Sequence, residues 1–96
     1  MKTVIKRLIW DEWNIDHIAR HDVLPEEVEE VCKSDPLVQT GNKGRVVTIG
    51  LTKAKRWLEV ILDPEMEEGV YYVVTAHTAN RKERGLYQKE KGGVLI

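Results

Sequence analysis

The stretch VYYVVTAHTANRKERGLY (Val70–Tyr87) carries the reading of the fold. Its first half, VYYVVTA, is dense in β-branched and aromatic residues with no polar alternation. It therefore reads as a strand buried on both faces and central in its sheet. The second half is basic and helix-competent. Asn80 followed three residues later by Glu83 has the spacing of a capping box, with Asn in place of Ser or Thr. A helix is predicted from there to about Lys91, where Gly92 and Gly93 end it. Gly85 inside that helix is a local conflict. His77 stands at the changeover from strand to helix.

Upstream of this stretch, GRVVTIGL (Gly44–Leu51) and RWLEVILD (Arg56–Asp63) are β-rich runs. TKAKR joins them as a hairpin-sized loop, and PEMEEG forms the next turn. Further back, LPEEVEEVCKSDP predicts a helix, with Pro25 at its first position and acids crowding its positive end. Val28, Val31 and Cys32 make its apolar stripe, and KSDP stops it. DEWNIDHIARHDV predicts a shorter helix, capped by Asp11 and ending near His21, with Trp13, Ile15 and Ile18 inward. TVIKRLIWD alternates apolar and polar residues as a first strand. The expected class is α+β: an antiparallel meander sheet with two N-terminal helices and a C-terminal helix, in the order β-α-α-β-β-β-α. The helices are expected to pack on one face. An additional strand fits near Leu37 to Thr40. No repeat or linker divides the chain, so residues 1–96 form a single domain.

Composition narrows the function classes. The 96 residues are 42% hydrophobic and 32% charged, as in an ordinary globular domain. No window reaches the ~18 apolar residues of a membrane helix, and the N-terminus has no signal-peptide core. One cysteine, Cys32, excludes an internal disulfide and a multi-cysteine metal site. A reducing cytoplasm is the expected compartment. The formal net charge of −1 hides a strong partition. Asp22 to Asp35 holds six acids against one lysine, whereas Val38 to Leu62 holds five basic residues against one acid. His77 to Lys91 is basic as well. Either a basic face exists on one side, or these runs are separately solvated.

Several residue types here suit proton transfer beside an anion. If Asn80 caps the last helix, Arg81 and Arg84 project from one side of its first turns, and Tyr87 continues the row. Guanidiniums match phosphate geometry with paired donors. Cleaving a phosphodiester without metal needs a base for the 2′-hydroxyl, cations for the crowded transition state and an acid for the leaving oxygen. His77, Arg81, Arg84, Arg45 and Tyr87 supply these types. The expectation is geometric: His77 and the guanidiniums of Arg45, Arg81 and Arg84 share a pocket open to water. Trp10, Trp57, Tyr71 and Tyr72 offer either a stacking surface for an unpaired base or ordinary core. His17 and His21 are four apart, as in a zinc helix, but Ile18 stands where a metalloprotease helix carries its glutamate. No third ligand is evident, so neither metal nor cofactor is expected.

WDEWNIDHIARHDVLPEEVEEV, GRVVTIGL, WLEVIL and VYYVVTAHTANRKERGLY together resemble the BrnT family of type II toxins, from about Leu8 to Tyr87. Trp10, Asp11, His21, Arg45, Gly50, Arg81, Glu83, Arg84 and Tyr87 fall on family-pattern residues, and Arg20 holds the basic place before His21. The resemblance implies a RelE-like fold and a metal-independent endoribonuclease that halts translation. It also implies neutralisation by a BrnA-like antitoxin with a ribbon-helix-helix DNA-binding domain, so that DNA is met only through that partner. Together with the residue types above, the expected site is His77 and Tyr87 for proton transfer, Arg45, Arg81 and Arg84 for phosphate, and His21 in an orienting or assisting role. His77 replaces a family arginine, Asp22 a glycine and Thr75 a serine. The first exchange removes a permanent cation and adds a titratable group. The alternative is a degenerate toxin-like module that docks the antitoxin and tunes repression.

Overall fold

The computed structural model describes residues 3–92. The chain is mixed α+β, with three α-helices and a five-stranded sheet among the described residues. The elements are β1 (Arg7–Ile9), α1 (Glu12–Ala19), α2 (Pro25–Lys33), β2 (Leu37–Thr40), β3 (Val46–Leu51), β4 (Trp57–Pro64), β5 (Val70–Thr78) and α3 (Arg81–Tyr87). The additional strand near Leu37 is present as β2. Among the described residues no helix is long and apolar enough to cross a membrane.

The strands lie in the order β1-β5-β4-β3-β2. β2 to β5 form the expected antiparallel meander, but β1 joins β5 in parallel, Arg7 opposite Val70. Alternation in TVIKRLIWD signals a strand but carries no information about its neighbour's direction. The Gly69 carbonyl accepts from the N–H groups of Lys6 and Arg7 and starts this pairing. Gly69 has φ +86, and a Cβ there would meet the Lys6 side chain at 2.8 Å, so only glycine fits.

β5 is not the middle strand; β4 is. Nor is β5 buried on both faces. Tyr71, Val73 and Ala76 are buried, while Tyr72, Val74, Thr75 and His77 are half-buried. The spacing from 73 to 76 breaks the two-residue period, because a β-bulge interrupts the ladder. Thr75 pairs with Ile61 and Val73 with Leu62, which leaves Val74 without a partner. A bulge flips every later side chain to the opposite face. Without it, Thr75 and His77 would follow Val73 into the core.

The helices take both faces rather than one. Leu58, Val60 and Leu62 of β4 pack with Ile18 of α1, with Val28 and Val31 of α2, and with Val73 and Ala76. The alternate residues of β3 and β4 face α3: Ile49, Leu37 and Ala79 form a second cluster with Trp57, Leu86 and Tyr87. Gly50 permits the close approach of β3 to α2, since a Cβ there would press on Val31 at 3.2 Å and Pro36 at 3.3 Å.

In α1 the inward positions are Asn14 and Ile18, one turn apart. Trp13 (62% exposed) and Ile15 (40%) point outward, against expectation. Asn14 displaces them because it is fully used. Its amide donates to the carbonyls of Ile9 (3.0 Å) and Val73 (3.1 Å), and its Oδ1 accepts from Asp11 N–H (2.9 Å). One buried amide thus ties β1, the Asp11 cap and β5 beside its bulge. α1 ends at Ala19, short of His21, and Asp22 makes the turn with φ 60. α3 is capped by the Asn80–Glu83 box as expected, but its α-helical part stops at Tyr87 and a π-helical turn covers Gln88–Gly92. Gly93, the other half of the expected stop, lies outside the described residues.

Candidate proton-transfer site

The bulge at Val74 sends His77 to the α3 face of the sheet, where its register partner is Glu59. Nε2 of His77 lies 2.9 Å from Glu59 Oε1. Nδ1 lies 3.1 Å from the Thr78 carbonyl oxygen. A carbonyl only accepts, so Nδ1 carries the hydrogen in that contact. The 2.9 Å contact then needs one further proton, held by Glu59 or completing an imidazolium.

Glu59 is built to hold such a proton. Its side chain is 14% exposed. Burial pushes its carboxyl up to about 7, and Glu83, which hydrogen-bonds to it and adds like charge, pushes the same way. His77 pulls in the opposite direction but does not prevail. Glu83 is itself fixed by the α3 cap, its Oε1 accepting from Asn80 N–H at 2.8 Å. Glu59 therefore holds a proton to near neutral pH between a second carboxyl and an imidazole. The sequence reading missed Glu59. Only its register opposite His77 marks it, and register depends on the bulge.

Beside this pair, Trp57, Arg81, Arg84, Gly85 and Gln88 line a recess of about 330 Å³. Trp57 is two residues from Glu59 on the same face of β4, a strand rise of about 7 Å. Arg81 and Arg84 are exposed, and among the described residues neither has an ion-pair partner. Neither pairs with Glu83 or with the acids of α2. α2 instead engages the β3–β4 hairpin: Glu27 accepts from Arg56 at 2.9 Å, and Glu30 from Lys53 N–H at 3.0 Å. Those contacts place part of the basic Val38–Leu62 run against the acidic helix, so the two charge runs are not separate faces.

The other expected site residues distribute unevenly. The His21 ring meets His77 edge-on, with centroids 6.2 Å apart. Tyr87 packs edge-on against Trp57 at 5.1 Å and is half-buried, and it lines a separate cavity between α2 and the β3–β4 hairpin rather than the arginine recess. Arg45 is elsewhere. It pairs with Asp63 at 3.6 Å, and Asp63 is four residues beyond Glu59, about 13 Å along β4. Of the four groups expected in one pocket, Arg81 and Arg84 share the recess, His77 pairs with the unforeseen Glu59 on the same face of the sheet, and Arg45 stands apart.

Trp10 and Asp11 do structural work. The Trp10 indole donates to Glu29 at 2.9 Å, and Asp11 caps α1 while accepting from the Tyr72 hydroxyl at 3.1 Å. The zinc spacing of His17 and His21 gathers no third ligand: among the described residues no group of three His, Cys, Asp or Glu is placed to hold a metal. No protein-family model matches the chain, and no curated protein matches it.

Proposed function

We propose that the chain is a metal-independent endoribonuclease of a type II toxin–antitoxin pair, a BrnT-like toxin of RelE-like architecture acting in the cytoplasm. One observation carries the reading: two arginines without partners flank a recess next to an imidazole–carboxyl pair that holds a proton near neutral pH. The reaction is an in-line attack of a ribose 2′-oxygen on the adjacent phosphorus. It breaks the bond to the 5′-oxygen and leaves a 2′,3′-cyclic phosphate and a 5′-hydroxyl. A base removes the 2′-hydroxyl proton, and an acid protonates the departing 5′-oxygen.

His77 and His21, with ring centroids 6.2 Å apart, supply one group to accept a proton and one to give it. Glu59 holds His77 in place and serves as its proton reservoir. For His77 to reach a substrate, its exposed contact to the Thr78 carbonyl opens first, because both ring nitrogens are otherwise engaged. Arg81 and Arg84 hold the phosphate and stabilise the charge that grows on its oxygens. Trp57 receives a base at the floor of the recess. The partner in this reading is a BrnA-like antitoxin with a ribbon-helix-helix domain.

Controlled expression in a bacterium tests the toxin role. Induction arrests growth, co-expression of the adjacent antitoxin gene restores it, and the His77→Ala, Arg81→Ala, Arg84→Ala triple variant does not arrest. Equal arrest by the triple variant removes these residues from the function. Absence of arrest by the natural chain favours the docking module instead.

A further inference from the structure

An aromatic row leads away from the site across α1. Trp13 stacks on His17 with centroids 5.1 Å apart and an interplanar angle of only 6°. His17 meets His21 edge-on at 5.6 Å, and His21 meets His77 at 6.2 Å. The row exists because Asn14 and Ile18 take the inward stripe of α1. Trp13 and His17, each one residue earlier, stand about 100° round the helix, Trp13 exposed and His17 half-buried. An indole 62% exposed contributes little to the core, yet its ring is held flat by the imidazole beneath it. Arg20 joins Trp13, Asp16 and His17 around a cleft of about 90 Å³ at the same place. Asp16 balances Arg20, so charge alone makes no anion site here. The feature that distinguishes the surface is open, preoriented π area, continuous with the His77 centre.

We propose that this row is a stacking track for unpaired RNA, which seats on Trp13 and His17 the bases that lie beyond the two flanking the cleaved phosphate. The inference rests on the ribonuclease reading and adds the substrate class to it: single-stranded rather than duplex RNA, because only unstacked bases offer a π face to these rings. Trp13 is exposed and His17 half-buried, and among the described residues neither belongs to a core cluster, so their removal spares the core.

The test uses 2′-O-methyl oligoadenylates, which cannot be cut, and follows binding to the full chain. One probe has about ten nucleotides, within the span of known single-strand sites, and the other is a dinucleotide. The Trp13→Ala, His17→Ala double variant binds the longer probe roughly ten- to hundredfold more weakly than the natural chain. It binds the dinucleotide equally well, and Trp13→Phe retains the longer probe. Equal affinity of the double variant and the natural chain for the longer probe overturns the track while leaving the nuclease reading intact. So does equal binding of a duplex of the same length. A natural chain that binds neither probe overturns both readings.

Discussion

His77 and Glu59 show how a single residue's chemistry is set by its neighbours rather than by its type. The His77 imidazole stands against a carboxyl that keeps its proton to about pH 7. Glu59→Gln removes the titrating group but keeps its shape and hydrogen-bonding capacity. Cleavage by that variant falls at least tenfold, and the limb of the pH–rate profile near neutrality flattens. An unchanged profile would take Glu59 out of the chemistry. Arg45 provides the contrasting case. Its partner is Asp63, remote from His77, so Arg45→Ala leaves the cleavage rate within a factor of about two in the same assay. Asp22, in the turn after α1, holds φ 60. Asp22→Gly relieves that backbone and raises stability by up to about 1 kcal/mol, read as a higher melting temperature.

At the scale of elements, the connection between β5 and α3 does most to build the site. The bulge at Val74 rotates His77 out of the core, and the Asn80–Glu83 box starts α3 with Glu83 against Glu59. The strand, the helix and the cap were legible from Val70 to Tyr87, because β-branched density and Asn-x-x-Glu spacing are local signals. The bulge was not, since VYYVVTA has no glycine or polar break to mark it, and the run therefore read as doubly buried. The outward turn of Trp13 was illegible for a similar reason. Hydrophobicity ranked Trp13 above Asn14, whereas three hydrogen bonds to the backbone decided the packing. Asn14→Leu keeps the branched shape and leaves three backbone groups, one buried and two part-buried, without their partner. It destabilises the chain by about 2–4 kcal/mol in denaturant unfolding, and a loss under about 0.5 kcal/mol would contradict the clamp.

For the whole molecule, the same carboxyl that serves the site works against the fold at high pH. Glu59 titrates at about 7 when folded and near 4.5 when free. Between those values the unfolded chain has released a proton that the folded chain keeps, so unfolding becomes easier as pH rises. The effect is on the order of 1 kcal/mol after allowance for solvent and for His77. Glu59→Gln therefore melts several degrees above the natural chain at pH 8 and nearly level with it near pH 4.5. Cys32 stays apart from all this. Burial pushes its thiol up to about 12, and it resists alkylation until the chain unfolds.

The α+β class and most elements could be read from periodicity, but the parallel β1 and the two-sided helices could not. Those depend on which edge and which face each element finds, and residue patterns do not encode either. The site follows from that arrangement, so its chemistry is the sharpest check on it. Purified protein is mixed with unstructured RNA in excess chelator, and the new ends are identified. The geometry around His77, Glu59, Arg81 and Arg84 predicts 2′,3′-cyclic phosphates and 5′-hydroxyls, lost in the Arg81→Ala, Arg84→Ala double variant. Intact RNA, or cleavage that the double variant performs equally well, would contradict it.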